Sequence, residues 1–213
     1  MDTLVGVVPD DWTAWTLKKA CDIQTGPSGS VTRTNQKTTT GAGIAVISAQ
    51  SIGDLVIDVN RLDWVDQRTA ERLRRFRLNL GDIVITRIGL EPRHALIGND
   101  HAGSLLGGSC LRLRARPGLQ PGYLSRYLEH PAVRDFLMRQ VGRTVVATIN
   151  GSRIGQLPVI FPPDAAQQRR VVEALHLVEQ DIHAHREIVR EGIALRQALL
   201  TALMAGAGTE ATV

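Results

Sequence analysis

The chain has 213 residues, 43% hydrophobic and 22% charged, with a formal net charge of +4. That suffices for one ordinary core, or a core with an appendage. No apolar run approaches a membrane span, the opening Met1-Asp2-Thr3-Leu4 is acidic rather than signal-like, and Cys21 and Cys110 stand in no metal or redox spacing, which together predict a cytoplasmic protein with two reduced, buried thiols.

Trp15-Thr-Leu17 opens a mixed segment that gives way to QTGPSGSVTRTNQKTTTGAG at 24–43, where only Val31 and Ala42 could be buried. A polar run of this length inside a compact domain predicts a functional surface loop, and its hydroxyl, amide and guanidinium donors suit groove contacts. GIAVIS (43–48) and DLVIDV (54–59) read as strands around a Gly53-Asp54 turn. Residues 69–78 have helical spacing, with Leu73 and Phe76 inward and four arginines mostly outward. GDIVITRIG (81–89) and HALIGN (94–99) form an expected strand pair around the tip Leu90-Glu91-Pro92-Arg93. At 107–116, Leu111 and Leu113 alternate with Arg112 and Arg114, which predicts a half-buried strand with a basic outer face. Pro121 and Pro131 each stand near the start of a helical pattern, where a missing N–H costs nothing. TVVATINGSRIGQLPVIF (144–161) then returns to extended structure around a polar turn.

Pro162 and Pro163 end that last strand, since neither can extend a ladder or permit helix in the residue before it. Asp164 can cap the helix that follows. Its inward positions run Val171, Leu175, Val178, Ile182, His185 and Val189, at spacings of four and three. The seam passes through Gly192 and Arg196 to Leu199 and Leu203, an imperfect coiled-coil pattern. A helix of about 40 residues would run about 60 Å, so it should project from the domain and find a partner. The expected organisation is an α+β domain over 1–163, a long helix over 164–206 and a disordered tail over 207–213.

Charge follows the same division. Residues up to Pro163 carry 20 Lys+Arg against 14 Asp+Glu, while Asp164 to Ala205 carry 5 against 6. The basic excess belongs to the first part and is nearly all arginine, whose planar fork suits phosphates and guanine edges. Catalytic signatures do not assemble. Phe161-Pro-Pro-Asp164 inverts the Asn/Asp-Pro-Pro-Tyr/Phe order of amino-methyltransferases, and no glycine-rich cofactor turn follows a strand. No lysine stands two residues after an acidic residue, as common metal-dependent nucleases need. His183 and His185, two apart on a helix, do not share a face as zinc ligands would. No metal site is expected.

Several stretches, in order, resemble the specificity subunit of type I restriction–modification systems. They are Trp15-Thr-Leu17 with Gly26-Pro27-Ser28, GIAVISAQSIGD, LNLGDIVITRIG, GGSCLRLR, PGYLSRYLEHPAVRDFL and INGSRIGQLPVIFPPDAAQQRRVVEALHLVEQDI. The double proline followed by Gln167-Gln168 and a periodic helix is the most specific of them. The resemblance covers about residues 12 to 206 and implies a target recognition domain reading half of a split double-stranded DNA site, followed by a spacer helix. Members of that family usually hold two such units and pack their two helices antiparallel; this sequence has one. The resemblance also implies a non-catalytic chain that positions a modification (methyltransferase) subunit carrying S-adenosylmethionine, and a restriction subunit, with no cofactor of its own. The candidate DNA-contacting residues are Arg33, Asn35, Gln36 and Lys37 in the polar loop, Thr86, Arg87 and Arg93 around the strand-pair tip, and Arg143, Thr144, Asn150 and Ser152 in the last polar turns. Arg87 is the first choice. The candidate helix contacts, for a homodimer or another half-subunit, are Val171, Leu175, Val178, Ile182, Val189, Leu199 and Leu203. The alternative is a protein–protein adaptor that uses the helix and carries an incidental basic surface.

Overall fold

The structure is a computed structural model that describes residues 1–28, 43–53, 55–89, 91–140 and 148–207. In chain order its elements are β1 (Asp2–Thr3), β2 (Gly6–Val7), β3 (Thr13–Thr16), α1 (Leu17–Ala20), β4 (Cys21–Thr25), β5 (Ile44–Ile47), β6 (Asp63–Val65), α2 (Gln67–Arg72), β7 (Ile83–Thr86), β8 (His94–Leu96), β9 (Leu105–Leu106), β10 (Cys110–Ala115), α3 (Pro121–Glu129), α4 (Pro131–Arg139), α5 (Gly151–Ile154), β11 (Pro158–Phe161) and α6 (Ala165–Ala207). The fold is mixed α and β followed by one helix of 43 residues, the class expected from the sequence. Two compact units result, Met1–Arg169 and Arg170–Val213.

The first unit is built on an antiparallel sheet of order β4-β10-β7-β8. Side chains alternate between its faces. Val84, Ala95 and Cys110 face a three-stranded layer of order β6-β5-β9, together with Leu73 and Phe76 that follow α2. On the other face, His94, in register with Ile85, lies with its Nε2 3.0 Å from the Ser125 carbonyl of α3. α3 lies against β8 and β10 on that side. β11 pairs antiparallel with β3, and Trp15 meets Phe161 edge to face at 5.2 Å. Tyr123 and Tyr127 donate their hydroxyls to the Ile160 and Pro158 carbonyls at 2.9 and 2.8 Å, tying α3 to β11.

The strand pair β7–β8 and the proline-initiated helices α3 and α4 stand where the sequence places them. DLVIDV is different. Its described residues, 55–59, form no strand; Leu55 takes a positive φ of 63°, Gly53 donates its N–H to the Val56 carbonyl at 2.8 Å, and Val56 and Val59 are exposed. A left-handed residue inside a six-residue run breaks the extended geometry that its β-branched composition suggests. The pairing partners of β5 come instead from β6 and β9. Residues 69–78 are helical only to Arg72 and then tighten into a 3-10 turn at Arg74–Phe76. The polar turn expected within 144–161 takes the form of the short helix α5, and residues 144–147 lie outside the described residues.

The expected basic outer face of 107–116 is likewise corrected. Arg112 is buried at 5% exposure and ion-pairs with Asp22, while Arg114 grips the buried Asp82 with two hydrogen bonds of 2.7 and 2.8 Å. The β5 layer covers part of this side of the sheet: Arg112 is buried beneath it, while Arg114, its side chain 38% exposed, stays partly open to solvent.

The Pro162-Pro163 joint leads into α6 through a cap and a clamp. Asp164 Oδ1 accepts the Ala166 N–H at 2.9 Å. Gln168 is fully buried; its Nε2 donates to the Gly118 and Pro162 carbonyls, both at 2.8 Å, and its Oε1 accepts the Gln120 N–H at 2.7 Å. The first helical turn therefore belongs to the first unit. Among the described residues no helix is long and apolar enough to cross a membrane.

Candidate nucleic-acid interface

Strand register brings the predicted segments to one place. Leu111 pairs with Thr25, Cys110 with Thr86, and Ile85 with His94. The end of β4, the start of β10, the end of β7 and the start of β8 therefore share one end of the sheet. The polar segment leaves this end after Thr25 and Gly26, and the 87–93 tip turns back at the same end. The third segment joins them, because Ile149 donates its N–H to the Arg87 carbonyl at 2.7 Å and Ile88 bridges to Thr148.

Backbone packing at this end leaves no room for side chains. A Cβ on Gly26 would lie 2.0 Å from the Gly107 carbonyl oxygen, and one on Gly107 would lie 2.7 Å from that of Ile47. Three chain segments thus stack backbone to backbone at the root of the polar loop. Ser109 Oγ accepts the Ala49 N–H at 2.9 Å, and the Ala49 carbonyl accepts from the Arg93 guanidinium at 3.0 Å.

Arg87 occupies the centre of this mouth. Its N–H donates to the Ser109 carbonyl at 3.0 Å, and its Nε is buried with no hydrogen-bond partner among the described residues. Such an unmatched donor on a charged group is costly unless something meets it. Arg87 and Arg93 both lie close enough to Cys110 to oppose the rise of its pKa; burial nevertheless pushes that thiol up to about 12. Cys21 is pushed up to about 12 by burial in the same way. Both cysteines are free and buried, as the sequence reading expects.

The remaining candidates divide. Thr86 is buried and its hydroxyl accepts the Arg93 N–H at 3.0 Å, so it shapes the tip from below. Asn150 caps α5, its Oδ1 accepting both the Ser152 N–H and the Ser152 hydroxyl at 2.9 Å. Both residues line a cleft of about 420 Å³ with Lys18, Asp22, Thr25 and Arg116. Sequence reasoning did not single out Lys18 and Arg116; one sits in a four-residue helix and the other just beyond a strand, and neither carries a local signal. Arg33, Asn35, Gln36, Lys37, Arg143 and Thr144 lie outside the described residues, as do 208–213 of the expected tail.

On α6 the predicted seam is open along most of its length. Val178 is 55% exposed, Val189 61% and Leu203 70%; Leu175, Ile182 and Leu199 are also exposed, and Val171 is half-buried. Among the described residues no three His, Cys, Asp or Glu side chains gather as a metal site requires.

No protein-family model matches the chain. A curated protein of Methanocaldococcus jannaschii, "Putative type I restriction enzyme MjaX specificity subunit", is 27% identical over 178 residues, covering 81% of this chain and 40% of the relative. Among solved structures, a chain from work on complex assembly and conformational transition of the type I R-M system superposes with a TM-score of 0.61 at 20% identity, covering 84% of this chain and 41% of its own. The HsdS subunit from Thermoanaerobacter tengcongensis gives 0.59 at 20% identity, covering 84% and 40%. The type I restriction–modification S subunit from M. genitalium gives 0.56 at 14% identity, covering 84% and 42%. In sequence and in fold the chain is similar to specificity subunits of type I restriction–modification systems, and it spans about two fifths of the length of those relatives.

Proposed function

We propose that this chain is a sequence-specific DNA-recognition unit of a type I restriction–modification or related phage-defence system, reading one half-site. The observation that carries the reading is the convergence of the described ends of the three polar segments on one sheet end, around Arg87, whose buried Nε has no hydrogen-bond partner among the described residues. Arginine offers base edges and phosphates a fork of donors, and the backbone stack at Gly26 and Gly107 holds the loop roots rigid. The chain itself is non-catalytic. Methyl transfer belongs to a modification subunit that binds S-adenosylmethionine, and cleavage to a restriction subunit, both arranged around α6.

The open seam on α6 supports pairing with a second copy. A two-fold axis across the helix makes the pair antiparallel and presents the same half-site twice in inverted orientation. The target is then a gapped palindrome, with the helix setting the gap. Mapping methylated bases in the native host tests this, and an asymmetric site rules the homodimer out in favour of a second, different half-subunit. The exposed seam would equally serve a protein adaptor without DNA function; weak DNA binding that does not respond to salt would select that reading. Purified full chain, titrated with labelled duplex DNA, separates the two.

A further inference from the structure

Between residues 66 and 77 the chain carries Arg68, Arg72, Arg74, Arg75 and Arg77 against the carboxylates of Asp66 and Glu71. The buried side of this segment is apolar: Ala70, Leu73 and Phe76 enter the core. Arg68, Arg72, Arg74 and Arg75 are exposed and line up on the outer side. Arg68 and Arg72 border a shallow groove of about 620 Å³ that also includes Gln67, Glu71 and Arg74. The two carboxylates offset only part of the charge of five arginines, Asp66 facing Arg72 and Arg68 and Glu71 facing Arg74. Asp66 caps α2, its Oδ1 accepting the Thr69 N–H at 2.6 Å, and Glu71 forms one exposed contact with Arg74 at 3.4 Å. Arg75 is held in place with its guanidinium 4.6 Å from the centre of the Phe76 ring.

We propose that this arginine ridge is a second DNA surface, which grips backbone phosphates beside the mouth that reads the bases. The proposal rests on the DNA-recognition reading above and adds to it residues outside that mouth. Placement is the first argument. The Arg75 carbonyl accepts from Gln24 Nε2 at 3.2 Å, and Gln24 lies one residue from the end of β4 where the polar loop begins. β4 and β7, which Arg87 directly follows, are separated by β10 alone, about 10 Å from strand to strand. That span compares with the about 12 Å width of the major groove, whose walls are the phosphate backbones. A groove whose floor is read by Arg87 then has a wall on the β4 side of the mouth, the side that the Arg75 carbonyl adjoins through Gln24. Spacing is the second argument. Arg68 and Arg72 stand one helical turn apart, about 5–6 Å, within two phosphate rises of about 3.4 Å on one strand.

The test uses the full chain and a labelled duplex of random sequence, with affinity measured from about 50 to about 200 mM salt. Arg68→Ala/Arg72→Ala/Arg74→Ala should lower affinity and flatten the slope of log affinity against log salt by about 0.9 for each lost phosphate contact, about 2 to 3 in all. The triple lysine variant at the same positions keeps the charge and should keep the slope. The three residues are exposed, so an unchanged melting temperature checks that each variant is folded. A triple alanine variant with the wild-type slope, where wild-type binding is salt-dependent, overturns the ridge and leaves the DNA reading standing. Wild-type protein that shows no salt-dependent binding removes both. Unaltered DNA binding joined to a loss of polyglutamate binding assigns the ridge to an acidic protein and likewise overturns the proposal.

Discussion

Replacing Gln168 by alanine removes three hydrogen bonds at once. The side chain is fully buried, and its amide joins the Gly118 carbonyl and Gln120 N–H ahead of α3 to the Pro162 carbonyl at the start of α6. A typical hydrogen bond contributes about 1 kcal/mol net, and a buried group left unpaired costs about 1–3 kcal/mol. Water can enter the space alanine leaves and meet some of these groups, so about 3 kcal/mol is expected for Gln168→Ala. Gln168→Met fills the space without offering a donor or acceptor, excludes that water, and should cost at least as much. For a chain of this size about 3 kcal/mol lowers the melting temperature by about 6–12 °C. Circular dichroism melts of the full chain, followed at a near-UV wavelength that reports on the first unit's aromatic residues, measure the shift. If both variants melt within about 2 °C of wild type, Gln168 is not the clamp its contacts suggest.

Four further outcomes are expected. Gly107→Ala places a methyl against the Ile47 carbonyl and should destabilise the first unit by at least about 1–3 kcal/mol in urea unfolding. Gly192→Ala, where nothing lies within 4 Å of the added Cβ, should instead favour the helix by about 1 kcal/mol. Alkali should unfold the protein: burial pushes Cys21, Cys110 and Tyr127 up to about 12 and Tyr123 higher still, so the folded state keeps protons that the unfolded chain releases. The stability the thiols contribute is complete below their ordinary value of about 9, and that of the tyrosines below about 10; above those values it is lost as pH rises towards 12, by about 1.4 kcal/mol per pH unit for each group. Urea midpoints measured through that range check the slope, and a thiol reagent that titrates either cysteine in the native protein near pH 9 would contradict it. Arg87→Ala should weaken binding to the native target by about 1–3 kcal/mol while leaving the melting temperature near wild type.

Features set by a few neighbouring residues could be read before folding. The 43-residue helix follows from its spacing of apolar residues and from Pro162-Pro163-Asp164, because proline stops a strand and a carboxylate caps a helix whatever surrounds them. The β7–β8 pair and the helices opened by Pro121 and Pro131 are local in the same sense. Other properties depend on residues far apart in the chain. DLVIDV has a strand's composition, yet Leu55 turns left-handed and β5 pairs with Asp63–Val65 and Leu105–Leu106. Arg112 and Arg114 alternate like a solvated face, but a second layer covers part of that side of β10; Arg112 is buried against Asp22, and the partly exposed Arg114 holds the buried Asp82. The mouth itself is a product of register. Segments more than 100 residues apart meet at one sheet end because antiparallel pairing sets β4, β10, β7 and β8 side by side. Gly26, Gly107 and Gln168 could have been noticed in the sequence, but their roles come from backbones and carbonyls that only the folded chain brings within reach.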